Sequence, residues 1–575
     1  MPVIRTLVAA LALATLGSCA GAAPPSARLP PAPLPAEPGP PAPSAAALAP
    51  VQLFEIATAQ SLPGPVSGRL IIVTQPWSKA FPSTAPSDAA PTIVRGAGED
   101  PIAAVEIAHL SPGQSLIVDA DAKAFPVPFS KMPPGDYIVQ AILDVNHSYA
   151  QSGLGQGDLK SVAIKLRLPG GVPRLILSEV QPAPSALSAS PLEEKRIDAE
   201  TDGFESHLAD VDFVSPSLSA FWGRTTHIHA WVLVPPGYET GKKRYPTVYR
   251  AEGFGGSRAF SRTQALRQWS VMSSSATPPM IRVFLDHATP SGTTEFADSV
   301  NNGPWGKALT AEFIPYLEKT YRMDAKPAGR FTTGHSSGGW FAIWLQVRYP
   351  KVFGGAWARA PDPVDFRSFT GVDIYAPGAN AYRRPDGSVQ TLVRSAKGVE
   401  TTSLREYAGR EDIAGDYGGQ FDSFDWVFSP RGEDGRPQPL FDRQTGAVDP
   451  AVAAYWRDHY DISAIIERDW KTLKRDLNGK IHLIVGTMDT YHLNEAAELL
   501  KQRLDALGAR ASFTFMEGRT HGTLDTIDNN PMGLETKIAW EMWKIARPNS
   551  DLIRSDPSYT TPGPASAPRA EKSGK

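Results

Sequence analysis

The period of the apolar positions changes along the chain, and each change marks a different kind of structure. From Val51 to about Val180, short apolar or alternating runs recur between Pro, Gly and Asn: Gly68–Val73, Ile102–Ala108, Gln114–Ala120, Gly135–Asn146, Ser161–Leu168 and Pro173–Val180. Runs of this length and spacing predict strands, and no helical period lies among them. Residues 51–181 are therefore expected to form an all-β, immunoglobulin-like sandwich, with no chemistry assigned to it. Residues 182–203 lose the apolar period and read as a linker. Beyond them, strand-like runs (His227–Pro235, Pro246–Gly253, Met280–Asp286, Gly329–Ser336, Gly354–Pro361, Lys480–Thr487, Ala511–Glu517) alternate with helical ones (Lys307–Tyr321, Gly338–Arg348, Asn494–Leu507, Leu534–Ala546). That alternation predicts an α/β domain over 204–550, with a mostly parallel sheet covered by helices on both faces. A stretch of about 95 residues, roughly 375–470, interrupts it with Gly, Asp, Arg and aromatics; it is too long for a passive loop and is expected to be a lid over the carboxyl edge of the sheet.

Composition narrows the classes such a chain can join. Of 575 residues, 42% are hydrophobic, enough to fill a core, and there is no Gly-X-Y period, so collagen and wholesale disorder are excluded. The 57 basic and 60 acidic residues leave a net charge of −3, which supplies no basic field for nucleic acid. Small-molecule chemistry is the first expectation.

A single cysteine excludes a disulfide framework, and its position says more. Arg5 precedes an apolar run from Leu7 to Leu16, about half the roughly 20 residues a membrane-spanning helix needs, so residues 1–18 read as a signal peptide. The run ends in Leu16-Gly17-Ser18-Cys19, which resembles a bacterial lipobox and makes Cys19 the expected lipidation site. Residues 24–50 hold 11 of the 54 prolines among many alanines, so residues 19–50 are expected to be a semi-rigid tether. The reading places the protein outside the cytoplasm, lipid-anchored at a membrane surface of the bacterial cell envelope, periplasmic or outward-facing. A disordered tail is expected over 551–575.

The chemistry starts at Gly334-His335-Ser336-Ser337-Gly338, which follows a strand and opens a helix. This is the context of a nucleophile elbow, where a tight turn projects the Ser336 hydroxyl from the sheet edge. A hydroxyl does not ionise unaided at neutral pH, so a general base must lie within hydrogen-bond reach. Elbow folds order the triad as Ser, acid, His along the chain. Asp489 past strand Lys480–Thr487 and His521 past strand Ala511–Glu517 stand where that order puts them. Asp362 and Asp365 also follow a strand and are the alternative acids, while Asp525 and Asp528 lie beyond the histidine and break the order. The oxyanion hole is expected from the Ser337 N–H and from the Phe254 or Gly255 N–H in the glycine-rich loop Glu252–Gly256. Glu252, His335, Trp340 and His492 are candidates for the substrate pocket. His227 and His229 share one strand face but offer two ligands with no third, so no metal site is expected. The chemistry calls for no metal and no organic cofactor.

These residues resemble the "putative esterase" family of α/β-hydrolases, which includes S-formylglutathione hydrolase, feruloyl and acetylxylan esterases and enterochelin esterases. The resemblance runs from about Asp212 to Trp543. It rests on Val234-Pro235-Pro236-Gly237-Tyr238, Phe296-Ala297-Asp298-Ser299, the elbow, Arg348-Tyr349-Pro350-Lys351-Val352-Phe353, Gly486 to Asp489, and His521-Gly522. It implies an α/β-hydrolase fold, with Ser336 as nucleophile, Asp489 as acid and His521 as base, acting on a small-molecule ester. Enterochelin esterases also carry a β-rich domain ahead of the hydrolase. Glu252-Gly253 replaces the usual His-Gly of the oxyanion loop, so a carboxylate there is expected to repel anionic substrates. The lid aromatics Trp426, Phe428 and Tyr455 are expected to wall a pocket or to pack the lid's own core. A serine esterase is the first reading; an acyltransferase on the same triad and a non-catalytic envelope binding protein are the alternatives.

Overall fold

The computed structural model describes residues 51–77, 100–147, 149, 153–182, 203–415 and 417–552. The signal segment, Cys19 and the tether lie outside the described residues, as do nearly all of the 182–203 linker and the 551–575 tail. Among the described residues no helix is long and apolar enough to cross a membrane.

Among its described residues the amino-terminal region contains nine strands: β1 (Leu53–Thr58), β2 (Val66–Pro76), β3 (Ile102–Leu110), β4 (Ser115–Asp119), β5 (Ala124–Phe125), β6 (Gly135–Asp144), β7 (Leu159–Ser161), β8 (Ile164–Leu168) and β9 (Arg174–Val180). They are hydrogen-bonded into one sheet, ordered β4-β1-β9-β7-β6-β2-β3-β5, with β8 on the other half of β6. The expected sandwich is corrected in this respect: a single continuous hydrogen-bonded path replaces two separate sheets. The sheet nevertheless wraps a core of its own. Phe54 and Ile56 of β1, Leu70 and Ile72 of β2, Val139 and Leu143 of β6 and Leu175 and Leu177 of β9 meet in one buried cluster. The long strands β2 and β6 are buried on both faces. Their outward side, with Ile71, Val73, Ile102 and Ile142, forms a second cluster with Ile413 of the inserted segment.

The second sheet has eight strands: β10 (Leu208–Val214), β11 (His227–Leu233), β12 (Thr247–Ala251), β13 (Ile281–Leu285), β14 (Arg330–His335), β15 (Gly355–Arg359), β16 (Ile481–Gly486) and β17 (Ser512–Met516). Their order is β10-β11-β13-β12-β14-β15-β16-β17. The strands from β13 to β17 are parallel, with β10 and β11 antiparallel at one edge. The main helices are α1 (Arg258–Ser273), α2 (Ser337–Arg348), α3 (Leu404–Ala414), α4 (Gln420–Phe428), α5 (Pro450–His459), α6 (Ile462–Leu477), α7 (Leu493–Ala506) and α8 (Gly533–Ala546). This is a mixed sheet with crossover helices, as the alternating pattern requires. The helix expected over Lys307–Tyr321 runs from Trp305 to Thr320 with a π-helical middle, Ala308–Phe313.

Outside the insertion, strand β1, helix α1 and edge strand β10 are among the elements that match none of the predicted runs. Helix α1 buries Ser261, Arg262, Gln264 and Gln268 along with its apolar residues, which blurs the helical period. Edge strand β10 carries Asp210 and Asp212, and charge on an edge strand is a device against unwanted pairing that also hides the strand.

The inserted segment is built rather than loose. Helix α3 starts with a capping box, in which Ser403 and Glu406 each bond the other's backbone N–H. Of the three lid aromatics, Phe428 packs in its core, touching the rings of Trp340, Phe366, Trp456 and Tyr460, while Trp426 and Tyr455 are half-buried. The insertion is clamped to the first sheet. Arg69 Nε donates to the Ile413 carbonyl at 2.8 Å and its Nη1 to Glu106 at 2.7 Å, and Arg410 Nη1 donates to the Asp100 carbonyl at 2.7 Å.

Candidate active site

Parallel strands that end at one edge of a sheet bring their following loops together, and here four such loops meet. Ser336 follows β14, the Glu252–Gly256 loop follows β12, Asp489 follows β16 and His521 follows β17. They enclose a cleft of about 530 Å³ lined by Gly253, Phe254, His335, Ser336, Tyr491 and His521, with Tyr407 and Gln420 of the insertion on the opposite side.

The elbow is strained, as its geometry demands. Ser336 has φ 58° and ψ −124°, outside the regions an L-residue ordinarily occupies. The turn closes because its glycines admit backbone where side chains would collide: a Cβ on Gly334 would lie 2.2 Å from the Gly338 carbonyl oxygen, and one on Gly338 would lie 2.0 Å from that of Ala251. Gly338→Ala is expected to cost about 3 kcal/mol, the upper end of ordinary overpacking, because backbone rather than a flexible side chain stands in the way. Urea unfolding would show it as a lowered midpoint with an unchanged slope.

Asp489 is fully buried, and its Oδ2 lies 2.9 Å from His521 Nδ1. Its Oδ1 accepts the N–H groups of Tyr491 at 2.9 Å and Leu493 at 3.3 Å. The acid loop is fastened from two sides. Thr487 N donates to the Met516 carbonyl and Met488 N to that of Arg519, each at 3.0 Å, while Arg394 of the insertion donates to the Asp489 carbonyl at 2.8 Å. The Tyr491 ring stands edge-on to His521 with centroids 4.9 Å apart.

Ser336 Oγ donates to Asp362 Oδ1 at 3.2 Å, and among the described residues it has no hydrogen bond to His521. Ser337 Oγ donates to Asp362 Oδ2 at 2.6 Å. Asp362 thus lies against the nucleophile and its neighbour, and burial pushes its carboxyl up to about 6 against the pull of those bonds and of His521. The fully buried Glu295 is held well above the usual carboxylate range, first by desolvation and then by the charge of Asp362. The alternative acid Asp365 sits elsewhere, capping a short turn and paired with Arg367 at 2.6 Å, while Asp525, set aside for breaking the chain order, lines the cleft but pairs with Arg359 at 2.5 Å.

The Glu252–Gly256 loop lies against Ser336, with a Cβ on Gly253 placed 3.0 Å from Ser336 Cβ. Phe254 and Gly255 line the cleft, and Ser337 is the first residue of α2, where an N–H has no partner within the helix. His335 also lines the cleft; its Nε2 lies 2.8 Å from the His521 carbonyl oxygen, and burial holds its imidazole well below the usual range.

Two of the pocket expectations are corrected. Trp340 is fully buried and stacks on Trp344 at 4.8 Å, because α2 is buried on all sides. His492 has φ 63° at the start of α7, lies 3.3 Å from Glu495, and does not line the cleft. Glu252 does line it, but both carboxylate oxygens are paired with Arg250, at 2.5 and 3.2 Å. That pairing, with an arginine shared with Glu535, offsets its charge. Arg267, exposed on the cleft wall, has no ion-pair partner among the described residues.

Comparison with known proteins bears on this site. Residues 222–401 match the model of the family described as "Putative esterase". Over 181 residues the chain is 26% identical to Esterase MT1326 of Mycobacterium tuberculosis (strain CDC 1551 / Oshkosh), which is 30% of this chain and 39% of that one. The chain thus spans about two fifths of the length of this curated relative. Among solved structures, a ferulic acid esterase is 14% identical, with a TM-score of 0.34 over 59% of this chain and 97% of that one. An S-formylglutathione hydrolase from Agrobacterium tumefaciens is 13% identical, with a TM-score of 0.35 over 59% and 95%.

Proposed function

We propose that this chain is a serine hydrolase that cleaves a carboxylic ester through an acyl-enzyme. The observation that carries the reading is the convergence of Ser336, on its strained elbow, with the Asp489–His521 pair in one cleft. The match of residues 222–401 to an esterase family supports it.

In this mechanism the ester carbonyl settles over Ser336 and the hydroxyl rotates from Asp362 to His521, a tightening expected between the free enzyme and the substrate complex. His521 Nε2 takes the proton as Ser336 Oγ attacks. Asp489, bonded to Nδ1, fixes the tautomer and stabilises the imidazolium without taking the proton. The Phe254 and Ser337 N–H groups receive the oxyanion, each such donor being worth about 10²–10³ in rate. His521 then protonates the departing alcohol, and a water activated by the same imidazole releases the acid. Placement at the cell envelope through Cys19 belongs to the proposal and rests on the lipobox-like sequence.

The test is active-site labelling. A fluorophosphonate is expected to modify the chain once, at Ser336; folded protein that stays unlabelled would sink the reading. Product analysis in the presence of an added alcohol would separate hydrolysis from acyl transfer.

The pairing of Glu252 with Arg250 gives a second expected result. Glu252→Gln should leave the preference between anionic and neutral esters unchanged. It should lower kcat about tenfold with little change in KM, because it loosens the loop that presents the Phe254 N–H without removing the donor. A switch toward anionic esters would show that the carboxylate faces the substrate after all.

A further inference from the structure

The two histidines that alternate along β11 acquire in the folded chain the third ligand that the sequence lacks. Strand alternation puts His227 and His229 on one face, and the antiparallel register places Asp212 of β10 directly opposite His229. The two imidazoles lie parallel, 5° apart in plane with centroids 5.6 Å apart. Asp212 Oδ1 is hydrogen-bonded to His227 Nδ1 and lies 3.6 Å from His229 Nδ1. One donor atom from each residue falls within 4.8 Å of the others.

We propose that Asp212, His227 and His229 form a binding site for a borderline divalent transition cation, with zinc as its best fit. Two imidazole nitrogens and one carboxylate oxygen are a zinc donor set, and ligand distances of about 2.0–2.1 Å in a tetrahedron separate neighbouring donors by about 3.3 Å. The Asp212–His229 spacing is close to that already. The Asp212–His227 contact is shorter because a proton holds it; zinc binding at Nδ1 releases that proton to solvent and leaves the imidazole protonated at Nε2. All three side chains are partly exposed, the histidines 34% each and Asp212 55%, so small rotations bring the donors to the ion and leave the fourth position to water.

One neighbour competes. Arg258 Nη1 donates to His229 Nδ1 at 3.1 Å, so that nitrogen is unprotonated but its lone pair points at the guanidinium, which must swing aside for zinc to bind. Zinc takes over the lone pair. Arg258 has a second partner in the Asp210 carboxylate and lies over the Trp231 ring, 5.3 Å from the centroid. None of the three ligands lines the catalytic cleft. The ion would pin edge strand β10 to β11, a structural rather than catalytic role.

Calorimetric titration of the untagged, chelator-treated full chain with zinc sulfate tests this. One saturable site per chain is expected, together with a rise in the thermal midpoint on zinc addition. Asp212→Asn, which keeps the shape of the side chain, and His229→Ala should each weaken affinity at least tenfold. The His227→Ala/His229→Ala double variant should lose saturable binding. Absence of saturable binding at millimolar zinc, or equal binding by these variants with unchanged circular dichroism, would overturn the proposal. The readout is independent of esterase activity, so a failure of the catalytic reading leaves it intact.

Discussion

Ser336→Ala is expected to lower kcat by about 10⁴–10⁶ while KM changes little. Removal of the nucleophile of a serine triad costs about this much, and what survives comes from oxyanion donors and substrate binding. The fold should tolerate the change. The side chain makes one hydrogen bond, to Asp362, whose other oxygen keeps its 2.6 Å bond from Ser337. Fluorophosphonate labelling should vanish with activity, and the unfolding midpoint should hold. Activity within tenfold of the parent would transfer the chemistry to another group. Asp362→Asn keeps a carbonyl oxygen for the Ser336 hydroxyl and is expected to leave far more activity, which separates the nucleophile from the residue that cradles it.

Glu535→Ala should destabilise the protein by about 3–5 kcal/mol, the cost of leaving buried charges without their partner. Glu535 is 4% exposed and accepts hydrogen bonds or ion pairs from Arg250 and, at 2.7 Å, from Arg359. Arg282 is buried beside them with its Nε and Nη2 atoms unpartnered, and burial lowers its guanidinium to about 10. Burial alone would raise the Glu535 carboxyl; the charges of Arg250, Arg359 and Arg282 outweigh it and hold the group at about 2. A folded value below the unfolded one means a stabilising term present in full above the ordinary value of 4.5 and lost as pH falls toward 2. Urea unfolding at neutral pH should therefore show the full deficit of the variant, and the gap should narrow progressively between pH 4.5 and pH 2. An equal deficit at every pH would assign the loss to packing instead.

The apolar period revealed the two sheets because most of their strands are buried and uninterrupted by charge. It missed β1, and it missed β10 and α1, where Asp210, Asp212, Arg262 and Gln268 replace the apolar signal. The candidate site was readable wherever chemistry depends on local order, as in the glycines around Ser336 and the residues following strand ends. It was opaque wherever the contact joins distant segments. Arg250 meets Glu535 across 285 positions, whereas its pairing with Glu252 is local, two positions apart. Trp340 shows the same limit from the other side: one turn past the nucleophile, it looks like a pocket residue until the whole of α2 is seen to be enclosed.

The clamp between the first sheet and the insertion bears on how such a chain can be divided. Ile413 shares its buried surroundings with Ile71, Val73, Ile102 and Ile142, while Arg69 ties up the backbone beside it. A fragment beginning at residue 204 would keep every residue of the proposed triad, yet it would turn an apolar strip of α3 toward water, near the two insertion residues that line the cleft. For protein production, the smallest soluble unit is expected to begin at β1 rather than β10. For ancestry, the β-rich region and the insertion are expected to travel together, and a relative that lost one while keeping the other would need polar residues at the positions of Ile71 and Ile413.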